Sequence, residues 1–190
     1  MVNTPKPKVA IFGGSFDPPH QGHQQIVQQA LKNLDIDLLL LVPTYLNPFK
    51  SASLASSKQR LEWCDTLFES IDKVCVKDYE VAQGKSTVTS QSVKYFNQNY
   101  DVCYLIIGAD NLASLNKWHE YEWLNQTITW VIATRDNHDL ETDGLRAWKI
   151  LPLNAPMSST QIRKDKALIH IDKKIKHSVK QILTINKDET

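Results

Sequence analysis

The chain has 190 residues, 42% of them hydrophobic and 23% charged, with 22 Lys and Arg against 21 Asp and Glu for a net charge of +1. That composition excludes intrinsic disorder, collagen-like repeats and a disulfide scaffold. A charge this close to zero gives no global field to attract a long polyanion, so general nucleic-acid binding is not expected. Residues 1–7 read as an N-terminal extension and 8–190 as one domain. Val9 to Phe12 predicts a buried strand running into a turn at Gly13-Gly14. From His23 to Leu34, the residues Ile26, Val27, Ala30, Leu31 and Leu34 share one helical face. Asp37 to Val42 predicts a second buried strand, stopped by Pro43. Ser51 to Ser57 is a polar loop, and Lys58 to Ser70 predicts a helix with Leu61, Cys64 (or Trp63), Leu67 and Phe68 inward. Lys73 to Tyr79 alternates as a strand, Ser86 to Asn99 predicts a helix, and Val102 to Ile107 is a third, fully apolar strand. A short helical region through Trp118 and Trp123 leads to a strand over Thr127 to Thr134. Lys149 to Leu153 is a late strand, and Ile171 to Ile185 an amphipathic C-terminal helix.

Strands alternating with helices predict βαβ units, and near-continuous apolar strands predict a parallel sheet covered on both faces. The expected fold is therefore a doubly wound α/β sheet with a C-terminal helical segment, binding ligands at the carboxyl ends of its strands. Cys64, Cys75 and Cys103 form no Cys-x-x-Cys pair, so neither a zinc knuckle nor a thioredoxin-like motif is available, and buried thiols are expected. The longest strongly apolar run, Leu38 to Val42, falls far short of the ~20 residues of a membrane span. Met1 to Lys8 lacks the apolar core of a signal peptide. A cytoplasmic protein with no membrane partner is expected.

The segment Gly13-Gly14-Ser15-Phe16-Asp17-Pro18-Pro19-His20-Gln21-Gly22-His23 joins the first strand to the first helix. A strand-to-helix turn aims backbone N–H groups and the positive end of the helix dipole at whatever lies above it. Absent side chains at Gly13, Gly14 and Gly22 let an anion approach the backbone. His20 and His23, three apart at a helix start, can face one volume and donate to phosphate oxygens, with charge added if a ring is protonated. Other phosphate motifs fail here. There is no G-x-G-x-x-G, and Gly84-Lys85-Ser86 mimics the tail of a Walker A loop but has Tyr79 where its first glycine belongs. His119-Glu120 begins like a zincin helix, yet Trp123 replaces the second histidine, and no G-x-S-x-G elbow exists.

GGSFDPPHQGH, followed far downstream by MSSTQIR (Met157 to Arg163), resembles the paired motifs of the HxGH nucleotidyltransferase superfamily. IIGADNLASLNKWHEYEWL (Ile106 to Leu124) and VIATR (Val131 to Arg135) narrow the likeness to bacterial nicotinate-nucleotide adenylyltransferases, from about Val9 to the C-terminal helix. The resemblance implies a Rossmann-like nucleotidyltransferase fold and adenylyl transfer from ATP, with Mg²⁺, to nicotinate mononucleotide, giving deamido-NAD and pyrophosphate in NAD biosynthesis. It also implies residue roles. Gly13, Gly14, Ser15 and Phe16 would line the ATP site, and His20 and His23 would contact its phosphates. Ser159, Thr160 and Arg163 would hold the β- and γ-phosphates, with Lys50 nearby. His20, His23 and Arg163 would be the catalytic group, and no side chain is expected as a metal ligand. Asp110 would contact nucleotide ribose and Trp118 would stack on the pyridine ring. Backbone N–H groups near Thr89 and around His119 to Tyr121 would read the nicotinate carboxylate. The chain departs from the family at Phe49, where many relatives have His. Val88 also replaces an aromatic residue, and Gln91 an acid.

The chemistry stands on the residues as well. Adenylyl transfer needs no protein nucleophile when the acceptor phosphate attacks the α-phosphorus directly. The protein must hold two polyanions in line and stabilise charge on the pentavalent centre and on departing pyrophosphate. Ser158, Ser159 and Thr160 at a helix start, with Arg163 one turn later, offer hydroxyls, N–H groups and a planar fork. Singly, each residue has an ordinary reading: SST as an N-cap, Trp118 as a core aromatic, Asp110 as a cap, Asp17 as a turn residue, Lys50 as a solvated charge. Three alternatives stay open: preference for the amidated nucleotide, another superfamily member such as pantetheine-phosphate adenylyltransferase, and a non-catalytic nucleotide sensor. Assembly into a homo-oligomer is also left open.

Overall fold

The computed structural model describes residues 5–48, 52–134, 140–154, 158–165 and 167–185. Six parallel strands form one sheet in the order β3-β2-β1-β4-β5-β6. They are β1 (Lys8–Gly14), β2 (Leu38–Pro43), β3 (Val74–Val76), β4 (Asp101–Gly108), β5 (Thr129–Thr134) and β6 (Trp148–Pro152). Among the described residues seven α-helices connect and cover them: α1 (Gln21–Asn33), α2 (Ser57–Phe68), α3 (Tyr79–Ala82), α4 (Thr89–Phe96), α5 (Tyr121–Thr127), α6 (Ser159–Asp165) and α7 (Lys173–Ile185), with 3-10 turns at Ala109–Lys117 and Leu168–His170. None of the described helices is long and apolar enough to cross a membrane.

The period of two along the strands sorts the core into two layers. Ala10, Phe12, Leu39, Leu41, Ile106 and Val131 face α1, α2, α6 and α7, whose Val27, Cys64, Ile162 and Val179 close that side. Val9, Ile11, Leu40, Val42, Leu105 and Trp130 face the other way, against Val93 and Phe96 of α4 and Leu124 of α5. Being buried on both faces is why these strands read as continuous apolar runs. Strand order reverses between β1 and β4, and the carboxyl ends there, Gly13-Gly14 and Gly108, open a crevice at the place such folds bind ligands.

Several element bounds differ from expectation, each for a local reason. Strand pairing on the β3 edge stops at Leu41↔Val76. Beyond it Tyr79 leaves the sheet to stack on Tyr95, centroids 3.9 Å apart, and starts α3 instead of ending a strand. The helix expected from Ser86 begins at Thr89, because Ser86 donates its hydroxyl to Leu46 O and Gly84 turns with φ +63°. It ends before Asn99, since the Asn97 side chain accepts from the Val102 N–H and leads into β4. In α2 the inward face includes Arg60, fully buried, while the expected Leu61 is half-buried; Trp63 and Cys64 are both inside. At the N-terminal end, Pro7 O accepts from Asp101 N, so the residue before β1 extends its pairing with β4.

Candidate active site

The glycine turn serves two purposes. A Cβ on Gly13 would meet nothing closer than Val42 O at 3.9 Å, leaving its backbone open to the crevice. On Gly14 it would come within 3.2 Å of the Phe16 ring. Phe16 has φ +46°, in the left-handed region that L-residues rarely occupy. That backbone turns its ring inward, edge-on to Phe12 at 5.3 Å and 4.9 Å from His23. Gly14 thus makes room for Phe16, which supports the histidine, while Gly13 faces the ligand space.

His20 and His23 form the N-terminal cap of α1. His20 Nδ1 accepts from the Gly22 N–H at 3.1 Å, and His23 Nδ1 accepts from the His20 N–H at 3.1 Å. Together they make a reciprocal capping box, a task usually given to Ser/Thr and Glu/Gln. An imidazolium has no lone pair on Nδ1, so rings that make these bonds are neutral with the proton on Nε2. Charge from a protonated ring is therefore not what this arrangement supplies. It supplies two oriented N–H donors on rings 3.9 Å apart, at the positive end of a 13-residue helix.

A buried charge network fixes this turn through Asp17 and Arg60, two residues to which the sequence alone assigns no functional role. The Asp17 carboxylate accepts from Leu54 N at 2.7 Å and Ala55 N at 3.0 Å. Arg60 donates to Ser15 O and Tyr45 O, both at 2.6 Å, and to Ala55 O at 3.2 Å. Burial pulls the Arg60 guanidinium below its ordinary value, and the Asp17 charge works against that. Arg163 donates to Asp17 O at 2.5 Å and to Thr160 Oγ1 at 3.2 Å, with the Asp17 carboxylate 3.8 Å away. The turn after β1, the segment after β2 and α6 are thereby tied to one aspartate.

The crevice holds about 760 Å³. One end is walled by Gly13 to Phe16, His20, His23 and Ser158 to Thr160. Ser158 caps α6 by accepting from Gln161 N, while Ser159 donates its hydroxyl to Pro18 O. The other end contains Glu80, Thr87, Val88, Thr89, Ser92, Trp118 and His119, and Asp110 also lines the cleft. Trp118 lies edge-on to Trp130 at 6.2 Å, and His119 Nδ1 is 3.1 Å from Ser90 Oγ. Gly108 lets the Asp110 carboxylate lie close to the backbone, because a Cβ there would stand 2.4 Å from its Oδ1 and push that side chain aside.

Three buried polar atoms make no hydrogen bond to any described residue: Thr44 Oγ1, Glu80 Oε2 and Trp118 Nε1. All three residues line this cleft. Burying such atoms without partners is costly.

Most residues singled out from the sequence converge here. Arg163 stands behind the wall, engaged with Asp17 and Thr160. Tyr121 is turned away: its N–H donates to Trp118 O, its hydroxyl donates to Gly144 O, and its ring stacks near Trp130. Gln91 is exposed on α4 and does not line the cleft, whereas Val88 does. Lys50 and Phe49 lie outside the described residues.

The cytidylyltransferase-like family model matches residues 11–165. A protein of Sulfurovum sp. (strain NBC37-1) named "Probable nicotinate-nucleotide adenylyltransferase" is 60% identical over 99% of this chain and all of its own length. One of the same name from Campylobacter fetus subsp. fetus (strain 82-40) is 40% identical over 90% of this chain and 93% of its own. Among solved structures, Plasmodium falciparum nicotinic acid mononucleotide adenylyltransferase complexed with NaAD shares the fold, with TM-score 0.67 and 22% identity over 83% of this chain and 82% of that one. With its HxGH turn, its SSTxIR segment and full-length identity of this order, the chain belongs to the nicotinate-nucleotide adenylyltransferase family of cytidylyltransferase-like nucleotidyltransferases.

Proposed function

We propose that this protein transfers the adenylyl group of ATP to nicotinate mononucleotide, forming deamido-NAD and pyrophosphate. The observation that carries this is the two-ended cleft. Oriented imidazole N–H donors, an open glycine backbone and hydroxyls line one end, and a half-buried tryptophan with unpartnered polar atoms lines the other.

In the proposed reaction an oxygen of the acceptor phosphate attacks the α-phosphorus, a new P–O bond forms, and the α–β bridging P–O bond breaks. The electron pair leaves with pyrophosphate. His20 and His23 donate Nε2–H bonds to phosphate oxygens, and because each Nδ1 is held by a backbone N–H the donors need no reorientation during the reaction. Ser159, Thr160 and Arg163 take the β- and γ-phosphates, with Lys50 assigned beside them. Arg163 keeps one arm on Asp17 O, which sets its fork relative to the histidine turn. Trp118 stacks on the pyridine ring, Asp110 takes ribose, and backbone N–H groups at Thr89 and His119 face the ring substituent. Tyr121 contributes only by holding that segment, since its N–H is engaged.

The donors at the phosphate end are hydroxyl, backbone and imidazole groups. They suit phosphate oxygens and fit a Mg²⁺ ion carried in by the nucleotide. When bound, that ion neutralises phosphate charge. Residues 8–190 act as one unit in this scheme, and the unpaired thiols Cys64, Cys75 and Cys103 fit a reducing cytoplasm.

The test offers ATP and Mg²⁺ with nicotinate mononucleotide, nicotinamide mononucleotide or phosphopantetheine and follows pyrophosphate release. Fastest release with nicotinate mononucleotide is expected. Release with phosphopantetheine alone, or with none of the three, would overturn the proposal.

A further inference from the structure

Among the described residues that line the cleft, Glu80 is the one buried carboxylate, only 6% exposed on the short helix α3. Ser92 of α4 donates its hydroxyl to Oε1 at 2.6 Å, which fixes the carboxyl group. Oε2 accepts nothing from any described residue. Thr87, Val88, Thr89, Trp118 and His119 surround the same end. A carboxyl held on one oxygen and unpartnered on the other, in a cleft that takes a ring bearing either a carboxylate or an amide, is placed to distinguish the two.

We propose that Glu80 is a specificity-determining residue for the acceptor, donating an O–H bond from Oε2 as the neutral acid to a ring carboxylate, and losing that donor when ionised. This rests on the proposed adenylyl transfer to a pyridine nucleotide. An ionised Glu80 repels the acid and can accept from the N–H of an amide, so discrimination between the two nucleotides depends on its proton.

Burial pushes the Glu80 carboxyl up to about 7, against the opposing effect of the Ser92 bond. No charged group contributes to that shift. Lys58, Arg60, Glu62 and Asp65 lie on α2, which packs on α3, and β2 carries no titratable side chain. Tyr79, next to it on α3, has its hydroxyl raised by burial first and by Tyr95 and Glu80 after that. Lys94 of α4 is engaged with Glu120 at 2.5 Å. The other titratable groups that line the cleft, among the described residues, are His20, His23, Asp110 and His119, the last held by Ser90. Near neutral pH the carboxyl is therefore poised between its two forms, and an anionic acceptor favours the neutral one.

The experiment measures kcat/KM for nicotinate and nicotinamide mononucleotide from pH 5.5 to 8.5, in the wild type and in Glu80→Gln. Taking the ratio cancels any effect of pH that is common to both nucleotides, the phosphate of the acceptor included. The wild-type preference for the acid should fall about tenfold or more as pH rises through 7, the scale of one hydrogen bond to a charged group. In Glu80→Gln the ratio should become flat. Calorimetry on the wild type at pH 8, in two buffers of different ionisation enthalpy, should show more proton uptake with the acid than with the amide. This second measurement does not depend on the variant folding. A flat wild-type ratio, an unchanged slope in Glu80→Gln (which would assign the slope to His119), or equal proton uptake would overturn the proposal. A protein that turns over neither nucleotide would instead refute the adenylyl-transfer assignment itself.

Discussion

Replacing Arg60 with Met probes the network that holds the histidine turn. Met keeps most of the volume of the side chain but removes three donors, to Ser15 O, Tyr45 O and Ala55 O. It also removes the positive charge opposite Asp17. A carbonyl that loses a buried donor costs about 1–3 kcal/mol, with the low end where water can enter. The Ala55 bond is buried, whereas the other two are partly accessible, so water recovers part of their loss. Asp17 keeps its two backbone donors. The total expected is about 3–5 kcal/mol, about 1–3 for the buried Ala55 carbonyl and about 1 for each of the other two. Urea titration at 25 °C should show that loss, and for a chain of this size Tm should fall by roughly 6–20 °C. Arg60→Lys should recover less than half, because one ammonium cannot span three carbonyls in a plane. KM for ATP should rise in both variants, since Ser15 and Tyr45 lose their shared anchor. A loss below about 1 kcal/mol with unchanged KM would refute the idea that this network sets the phosphate turn.

Four further outcomes are expected. His23→Ala removes both an Nε2–H donor and the acceptor for the His20 N–H; kcat should drop on the order of 10²-fold, and near wild-type turnover would move the chemistry elsewhere. Trp118→Ala should mainly raise KM for the pyridine nucleotide, so a change confined to KM for ATP would place the ring at the wrong end. Gly108→Ala puts a Cβ on the Asp110 carboxylate; because that side chain can swing, stability should change by about 1 kcal/mol or less while KM rises several-fold, and the reverse pattern would show a purely structural glycine. Glu80 holds its proton to about pH 7 in the fold, whereas the unfolded chain releases it near 4.5, so folding stability falls as pH rises between those values. The urea-derived stability of the wild type should drop relative to Glu80→Gln by about 3 kcal/mol from pH 4.5 to above 7; parallel profiles would contradict the buried, neutral carboxyl.

The doubly wound sheet was legible because its strands are apolar on both faces and its helices carry a 3.6-residue period. Short pieces were less so: α3 and the Leu168–His170 turn have too few residues to show any period. The HxGH turn could be read from the string itself, yet its internal geometry could not, since nothing in the sequence says that each histidine caps the other. Asp17, flanked by Phe16 and Pro18, looks like any turn aspartate until Leu54 and Ala55 arrive from 37 and 38 residues away. Arg60 did leave a signal: it precedes Cys64 by four and Leu67 by seven, the spacing of the buried face. Glu80 left none. Its burial comes from the way α3 packs on β2 and from Ser92 twelve residues on, contacts that only the assembled fold creates.

In the proposed reaction the adenylyl group passes directly between two bound nucleotides in one cleft and never rests on the protein. Supplying nicotinate mononucleotide, Mg²⁺ and ATP labelled at the α-phosphorus, and separating the products of a single turnover, tests it most directly. All of the reacted label should appear in deamido-NAD, in step with unlabelled pyrophosphate. Label retained on the protein, or released as AMP without dinucleotide, would contradict it.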